Sequence, residues 1–186
     1  MKHISTLALV LAFGAASIYA EQEQVRMTFS GSVTSLAPPT NLVSAGNGPL
    51  SETAFAGTGS LGPFTSRGVG ANTAMPTGFG CAGPNSLLFT FVAGAGVYRF
   101  QDGSLLTTKT KSATVCVNLT AGSANDTIIE DITGGTGRFQ NASGTLTTTT
   151  VGDHPVLFDA TGQPIFFVVP NGEITGTIIL PDRKED

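Results

Sequence analysis

The chain predicts an all-β fold: one domain whose antiparallel sheet of about eight or nine strands closes into a single barrel. Three observations carry this. Strand-forming runs recur about every 10 to 15 residues. Past the first 20 residues, no segment has the apolar repeat of an amphipathic helix. Glycines fall inside the strand runs, at Gly57, Gly59, Gly144 and Gly176, where a closing sheet has to bend. The chain has no Trp, so the Cys–Trp–Cys core of an immunoglobulin-like sandwich is missing.

The elements follow in order. Met1, Lys2 and His3 make a short basic start, and Ile4 to Tyr19 is small or apolar without charge. Ala20 then precedes a polar Glu21-Gln22-Glu23-Gln24. This is the pattern of a secretory signal peptide over residues 1–20, too short to span a membrane, with residues 21–186 as the barrel domain. Val25, Met27 and Phe29 alternate with polar neighbours as far as Val33, and residues 53–61 form a glycine-rich strand with Phe55 and Leu61. Residues 35–50 and 62–85 are rich in Pro, Gly, Ser and Asn; they read as long connections, the walls of any binding mouth.

Leu87 to Val92 is apolar on both faces and predicts a buried strand. Runs 96–100 and 104–108 flank Asp102-Gly103, a strong hairpin signal. Strands are expected at 112–119, 127–132, 138–150, 155–159, 164–169 and 173–180, with Asn171-Gly172 as a second tight hairpin between the last two. Strands this short argue against an outer-membrane barrel, whose strands need about 9–11 residues and a lipid-facing apolar alternation.

Bulk properties narrow the function. Without residues 1–20 the chain keeps eight basic and thirteen acidic side chains and has no cationic cluster, so nucleic acid is excluded as a partner. Cys81 and Cys116 are the only cysteines, and in an oxidising compartment an even pair is expected to form a disulfide. The protein is therefore expected to be secreted or periplasmic. No metal site is expected, because two distant cysteines and His154 lack zinc spacing and the aspartates form no calcium loop. His154 sits in Gly152-Asp153-His154-Pro155, a turn by composition.

The most informative stretch is Ile132-Thr133-Gly134-Gly135-Thr136-Gly137-Arg138-Phe139-Gln140-Asn141-Ala142-Ser143-Gly144-Thr145. A dinucleotide-binding turn would need a helix after its glycines and an acidic residue roughly 20 positions on. Residues 141–150 are strand formers instead, and no Gly-Lys-Ser/Thr loop occurs anywhere, so no cofactor is expected. The stretch resembles the late turn of the allene oxide cyclase and dirigent-like barrels, through Gly134, Gly135, Thr136, Gly137, Phe139, Ala142 and Gly144. The resemblance implies a closed antiparallel barrel and a homotrimer; it transfers no catalytic residue.

Site candidates come from strand parity. Glu130 shares a face with Ile128 and Ile132, and if that face points inward its carboxyl enters an apolar interior, where a proton is held more tightly and general acid work becomes feasible. Otherwise it reaches solvent at a strand end or pairs with Arg99 or Arg138. Tyr98 and Phe100 share the face opposite Arg99 and should line the interior. Glu130 is thus the candidate catalytic residue, and Tyr98, Phe100 and Glu130 are the candidate ligand contacts. Three functions stay open: a barrel holding an apolar small molecule, a cyclase or isomerase, and a structural surface protein.

Overall fold

A computed structural model describes residues 21–36, 47–73, 75–153, 156–158 and 164–181. Residues 1–20, residues 37–46 and His154 lie outside the described residues. Among the described residues ten strands run in chain order: β1 Glu21–Leu36, β2 Asn47–Gly59, β3 Phe64–Thr73, β4 Gly78–Phe79, β5 Ser86–Phe100, β6 Leu105–Asn118, β7 Ser123–Gly135, β8 Ser143–Asp153, β9 Val156–Phe158 and β10 Pro164–Leu180. Neighbours follow the order β1-β2-β3-β5-β6-β7-β8-β10, and β10 returns to pair with β1, so eight antiparallel strands close a barrel. β4 pairs with β5, and β9 with the start of β10, outside that ring. The expected all-β barrel is what forms.

Alternation sets which side chains fill it. On β1, Val25, Met27 and Phe29 point inward and are almost fully buried, while Gln24, Arg26, Thr28 and Ser30 face out. They meet Leu106, Ile132, Leu146, Ile174 and Ile178 in one core. That core occupies the half of the barrel bounded by the turns 60–63, 101–104 and 136–142, called here the closed end.

Three expectations need correction. Asn171-Gly172 is not a hairpin: β10 runs straight through it, with Asn171 opposite Val151 and Ser30, and Gly172 opposite Thr150 and Phe29. The glycine serves a close approach, since a Cβ there would sit 2.3 Å from the Thr149 carbonyl oxygen and 2.6 Å from the Phe29 ring. Residues 62–85 are not one long loop, because β3 occupies Phe64–Thr73. Its Ser66, Gly68 and Gly70 face inward, and small residues there leave space rather than fill it, which is why the run lacks an apolar signature. Residues 138–150 are not one strand either: a 3-10 turn takes Gly137–Phe139 and β8 starts at Ser143.

Several strands are also longer than expected, since runs separated by polar or glycine residues fuse; β5 has 15 residues and β10 has 17. Strand length therefore does not separate this fold from an outer-membrane barrel. The outward positions Gln24, Arg26, Thr28 and Ser30 on β1 and Thr145, Thr147 and Thr149 on β8 are polar, whereas Val69, Val97, Val151 and Val169 are exposed on other strands or further along. Among the described residues no helix is long and apolar enough to cross a membrane.

The four-glycine corner closes the bottom. Gly137 adopts φ 59°, and the turn that follows carries Phe139, 1% exposed, under the barrel and onto Phe100 at 4.7 Å between ring centroids. The Arg138 guanidinium lies over both rings, contacts Asp102 at 3.3 Å, and donates to the Leu61 carbonyl. One cation thereby ties together the turns after β2, β5 and β7. Asp102, at the Asp102-Gly103 hairpin, is held below its usual carboxylate range first by the Ser104 backbone N–H and further by Arg138.

Two stability outcomes follow. Gly172→Ala should lower the unfolding free energy in urea by about 2–4 kcal/mol, because neither a backbone carbonyl nor Phe29 can retreat; a tolerated substitution would mean that β10 breaks there. Cys81 and Cys116 are bonded across a separation of 35 residues. Cys81→Ser/Cys116→Ser should therefore cost about 3–4 kcal/mol in the same assay, the loop-closure entropy of the cross-link.

Candidate functional site

The site forms where the apolar core ends. β7 turns Ala124, Asp126, Ile128, Glu130 and Ile132 inward, with Ile132 in the core and Glu130 standing directly above it. Glu130 is 7% exposed. It reaches neither solvent at the rim nor Arg99 or Arg138. The Tyr98 hydroxyl donates to its Oε2 at 2.9 Å, and the Thr108 hydroxyl donates to its Oε1 at 2.6 Å. Two hydroxyl donors on one carboxylate hold it in a single orientation. Burial, and then the neighbouring Glu130 charge, push the Tyr98 phenol well above its usual value, so Tyr98 stays a donor. Thr148 also lies beside that phenol, outside hydrogen-bond geometry.

The space for this arrangement comes from Gly96 on β5. A Cβ at Gly96 would stand 2.9 Å from Thr108 Oγ1 and 3.5 Å from Glu130 Oε1, so any side chain would press on the hydroxyl–carboxylate pair.

Above Glu130 the lumen opens into a cavity of about 70 Å³. Its walls include Phe55, Phe91 and Val33 together with the hydroxyls of Ser51, Thr53, Thr110, Thr148 and Thr150. Tyr98 and Glu130 form part of its lower wall, whereas Phe100 lies deeper, packed on Phe64 and Phe139 beneath the cavity. Of the residues singled out from the sequence, the structure thus brings Tyr98 and Glu130 together and leaves Phe100 in the floor. Asp131 faces outward, 3.5 Å from Lys111 Nζ.

The sequence reading missed Asp126. It started the strand at residue 127, whereas β7 begins at Ser123, which puts Asp126 on the Glu130 face about 13 Å further along. The signal was present: Asp126, Ile128, Glu130 and Ile132 share parity. Asp126 Oδ1 is shut off from solvent and has no hydrogen-bond partner. Burial pushes its carboxyl up from the ordinary 3.8 to about 6, an effect the Thr150 hydroxyl partly offsets.

The disulfide stands near the mouth, where Cys116 on β6 holds the segment after β4. Asn118 Nδ2 donates to the Ala82 carbonyl at 2.9 Å, and Ser86 Oγ donates to Gly83 at 2.7 Å, so this wall of the mouth is anchored by more than the cross-link. Among the described residues no group of three His, Cys, Asp or Glu side chains is placed to hold a metal ion.

No protein-family model and no curated protein sequence matches the chain. Among solved structures it is similar to two pterocarpan synthase dirigent proteins. The first, GePTS1, has a TM-score of 0.39 and 12% identity, covering 91% of this chain and 91% of that one. The second, PsPTS1, has a TM-score of 0.38 and 13% identity, covering 84% of this chain and 96% of that one. Both are dirigent proteins; neither is an allene oxide cyclase. The closed barrel itself is read from the β1–β10 register, independently of either likeness.

Asp126 makes the site measurable by pH. Its folded-state value lies above its unfolded value, so the stability it contributes is fully present below pH 3.8 and is lost as the pH rises through about 6. A gap of roughly two units corresponds to about 2–3 kcal/mol. Asp126→Asn should therefore be more stable than the parent protein at pH 7 by about 1–3 kcal/mol, an advantage that shrinks toward pH 4. Parallel stability–pH curves for the two proteins would show that Asp126 is not desolvated.

Proposed function

We propose that the protein is an exported, dirigent-like barrel that binds a small molecule in its upper lumen. The observation that carries this reading is a cavity whose wall holds a shielded, partnerless carboxylate oxygen at Asp126 and a partnerless hydroxyl at Thr148, which is 4% exposed. Buried polar groups without partners cost stability, and a cavity that keeps two of them is built for something that supplies the missing bonds. The enclosed volume is far below the roughly 300 Å³ of a pocket for a whole drug-sized ligand. A polar head therefore enters the lumen, and the apolar body rests at the mouth on Phe91 and Val33.

Export is supported by the leader-like residues 1–20 and by a disulfide, which persists in oxidising compartments. Trimeric assembly is part of the reading through the resemblance alone. One observation favours a catalytic variant of this function, a cyclase or isomerase: a carboxyl titrating at about 6 inside an enclosed site is poised to give or take a proton near neutral pH. Glu130, fixed by Tyr98 and Thr108, would then orient the reacting group or handle a second proton.

Native mass spectrometry of the protein isolated from its source tests the reading. A non-covalent adduct that disappears on denaturation is expected, and a bare polypeptide mass in every preparation would leave a structural surface role instead. For the catalytic variant, Glu130→Gln and Asp126→Asn should each lower turnover of the recovered compound at least about 100-fold with unchanged circular dichroism.

A further inference from the structure

The charge in the upper lumen is one-sided. Asp126 and Glu130 both project into it from β7. The basic side chains described all lie elsewhere. Arg26 faces Glu173, Arg67 pairs with Glu52 on the outer surface at 3.2 Å, Lys111 pairs with Asp131, and Arg138 with Asp102. Arg99 and Lys109 are exposed on the outward faces of β5 and β6. At the register of Asp126 the flanking strands present Val115 and Thr150, neither of them charged. Tyr98 and Glu130 are further titratable groups on the cavity wall; Arg67 also lines it, but its side chain is 73% exposed and paired with Glu52.

Among the described residues, no basic side chain balances these carboxylates inside the lumen. Glu130 already receives two hydroxyl protons, whereas Asp126 Oδ1 receives none. An anionic ligand would be repelled by both carboxylates, and a neutral one would leave the Asp126 charge uncompensated in a desolvated place. A hard metal ion needs six or more oxygens, which one available carboxylate and scattered hydroxyls do not supply. A primary ammonium needs only two or three acceptors and brings both the charge and the hydrogens. The Phe55 and Phe91 rings in the same wall offer the apolar part of such a ligand a surface.

We propose that the upper lumen is a binding site for small organic ammonium ions, the ammonium pairing with the Asp126 carboxylate beside Thr148, its apolar body lying against Phe55, Phe91 and Val33. This rests on the lumen-binding function above and names the ligand class for it. The same pairing makes binding pH-linked: protonating Asp126 removes the attraction, so affinity falls as the pH drops below about 6.

Three probes of similar shape and different charge test it on the purified protein by calorimetry and amide chemical shifts: 2-phenylethylammonium, 2-phenylethanol and 3-phenylpropionate. The ammonium should bind at least about 10-fold more tightly than the alcohol, as one charge-assisted bond in a desolvated site implies, and should shift β7 and β8 amides. The propionate should not bind. Asp126→Asn should bring the ammonium to the level of the alcohol, Thr148→Val should weaken it severalfold, and moving from pH 8 to pH 5 should weaken it at least about fivefold. Equal binding of ammonium and alcohol, or full affinity in Asp126→Asn, overturns the ammonium class. If the alcohol alone shifts the lumen amides, the class is wrong and small-molecule binding stands; if none of the three does, both fail.

Discussion

Pairing of the first strand with the last is the constraint from which the rest follows. β1 and β10 join from Glu21↔Leu180 to Thr34↔Phe167, and β10 also pairs with β8 along its other edge. Once the ring is closed there is no free main edge, and every second residue of eight strands must point into a space of limited width. Gly172 shows how tightly that space is used. It sits in the middle of β10 because the Phe29 ring comes from β1 to within contact of its backbone.

Closure also divides the interior along its axis. Toward the turns at residues 60–63, 101–104 and 136–142, large apolar side chains fill the lumen, and Phe139 seals it with Arg138 clamped beneath. Toward the other end, Ser51, Ser66, Gly68, Gly70, Thr148 and Thr150 replace them, and the interior becomes hollow, with hydroxyls set among apolar walls. Glu130 lies at the boundary, where the last apolar layer gives way to hydroxyls. Its two donors come from β5 and β6, while Gly96 leaves them room, so three adjacent strands build one carboxylate's environment.

Asp126 stands in a different balance. Glu130 is satisfied by its surroundings and adds order to the core boundary, but Asp126 Oδ1 is desolvated without a partner. A group held at such cost is where folding and ligand recognition pull apart: the free protein would be more stable without the charge, and a cationic ligand would gain from it. The hollow upper lumen and the anchored mouth wall at Cys81–Cys116 are the parts of the fold that this balance uses.

Residues alone determined the class of the structure, because period-two alternation and turn chemistry are local. Val25, Met27 and Phe29 declared an inward face, Asp102-Gly103 declared a hairpin, and the Gly134 to Gly144 corner declared a tight turn in a barrel. Parity likewise placed Tyr98 on an inward face and set Glu130 on the face of Ile128 and Ile132, leaving open which way that face turned. Local signals failed where the meaning of a residue depends on what lies across the sheet. Asn171-Gly172 has the composition of a turn, and only the Phe29 ring on another strand makes it the middle of one. The run from Phe64 to Thr73 has the composition of a loop, and only barrel closure gives its small residues an inside to face. That Asp126 Oδ1 is shielded without a hydrogen-bond partner, and that Glu130 is met by Tyr98 and Thr108, were decided by tertiary structure alone, since desolvation and hydrogen bonding depend on neighbours far away in the chain.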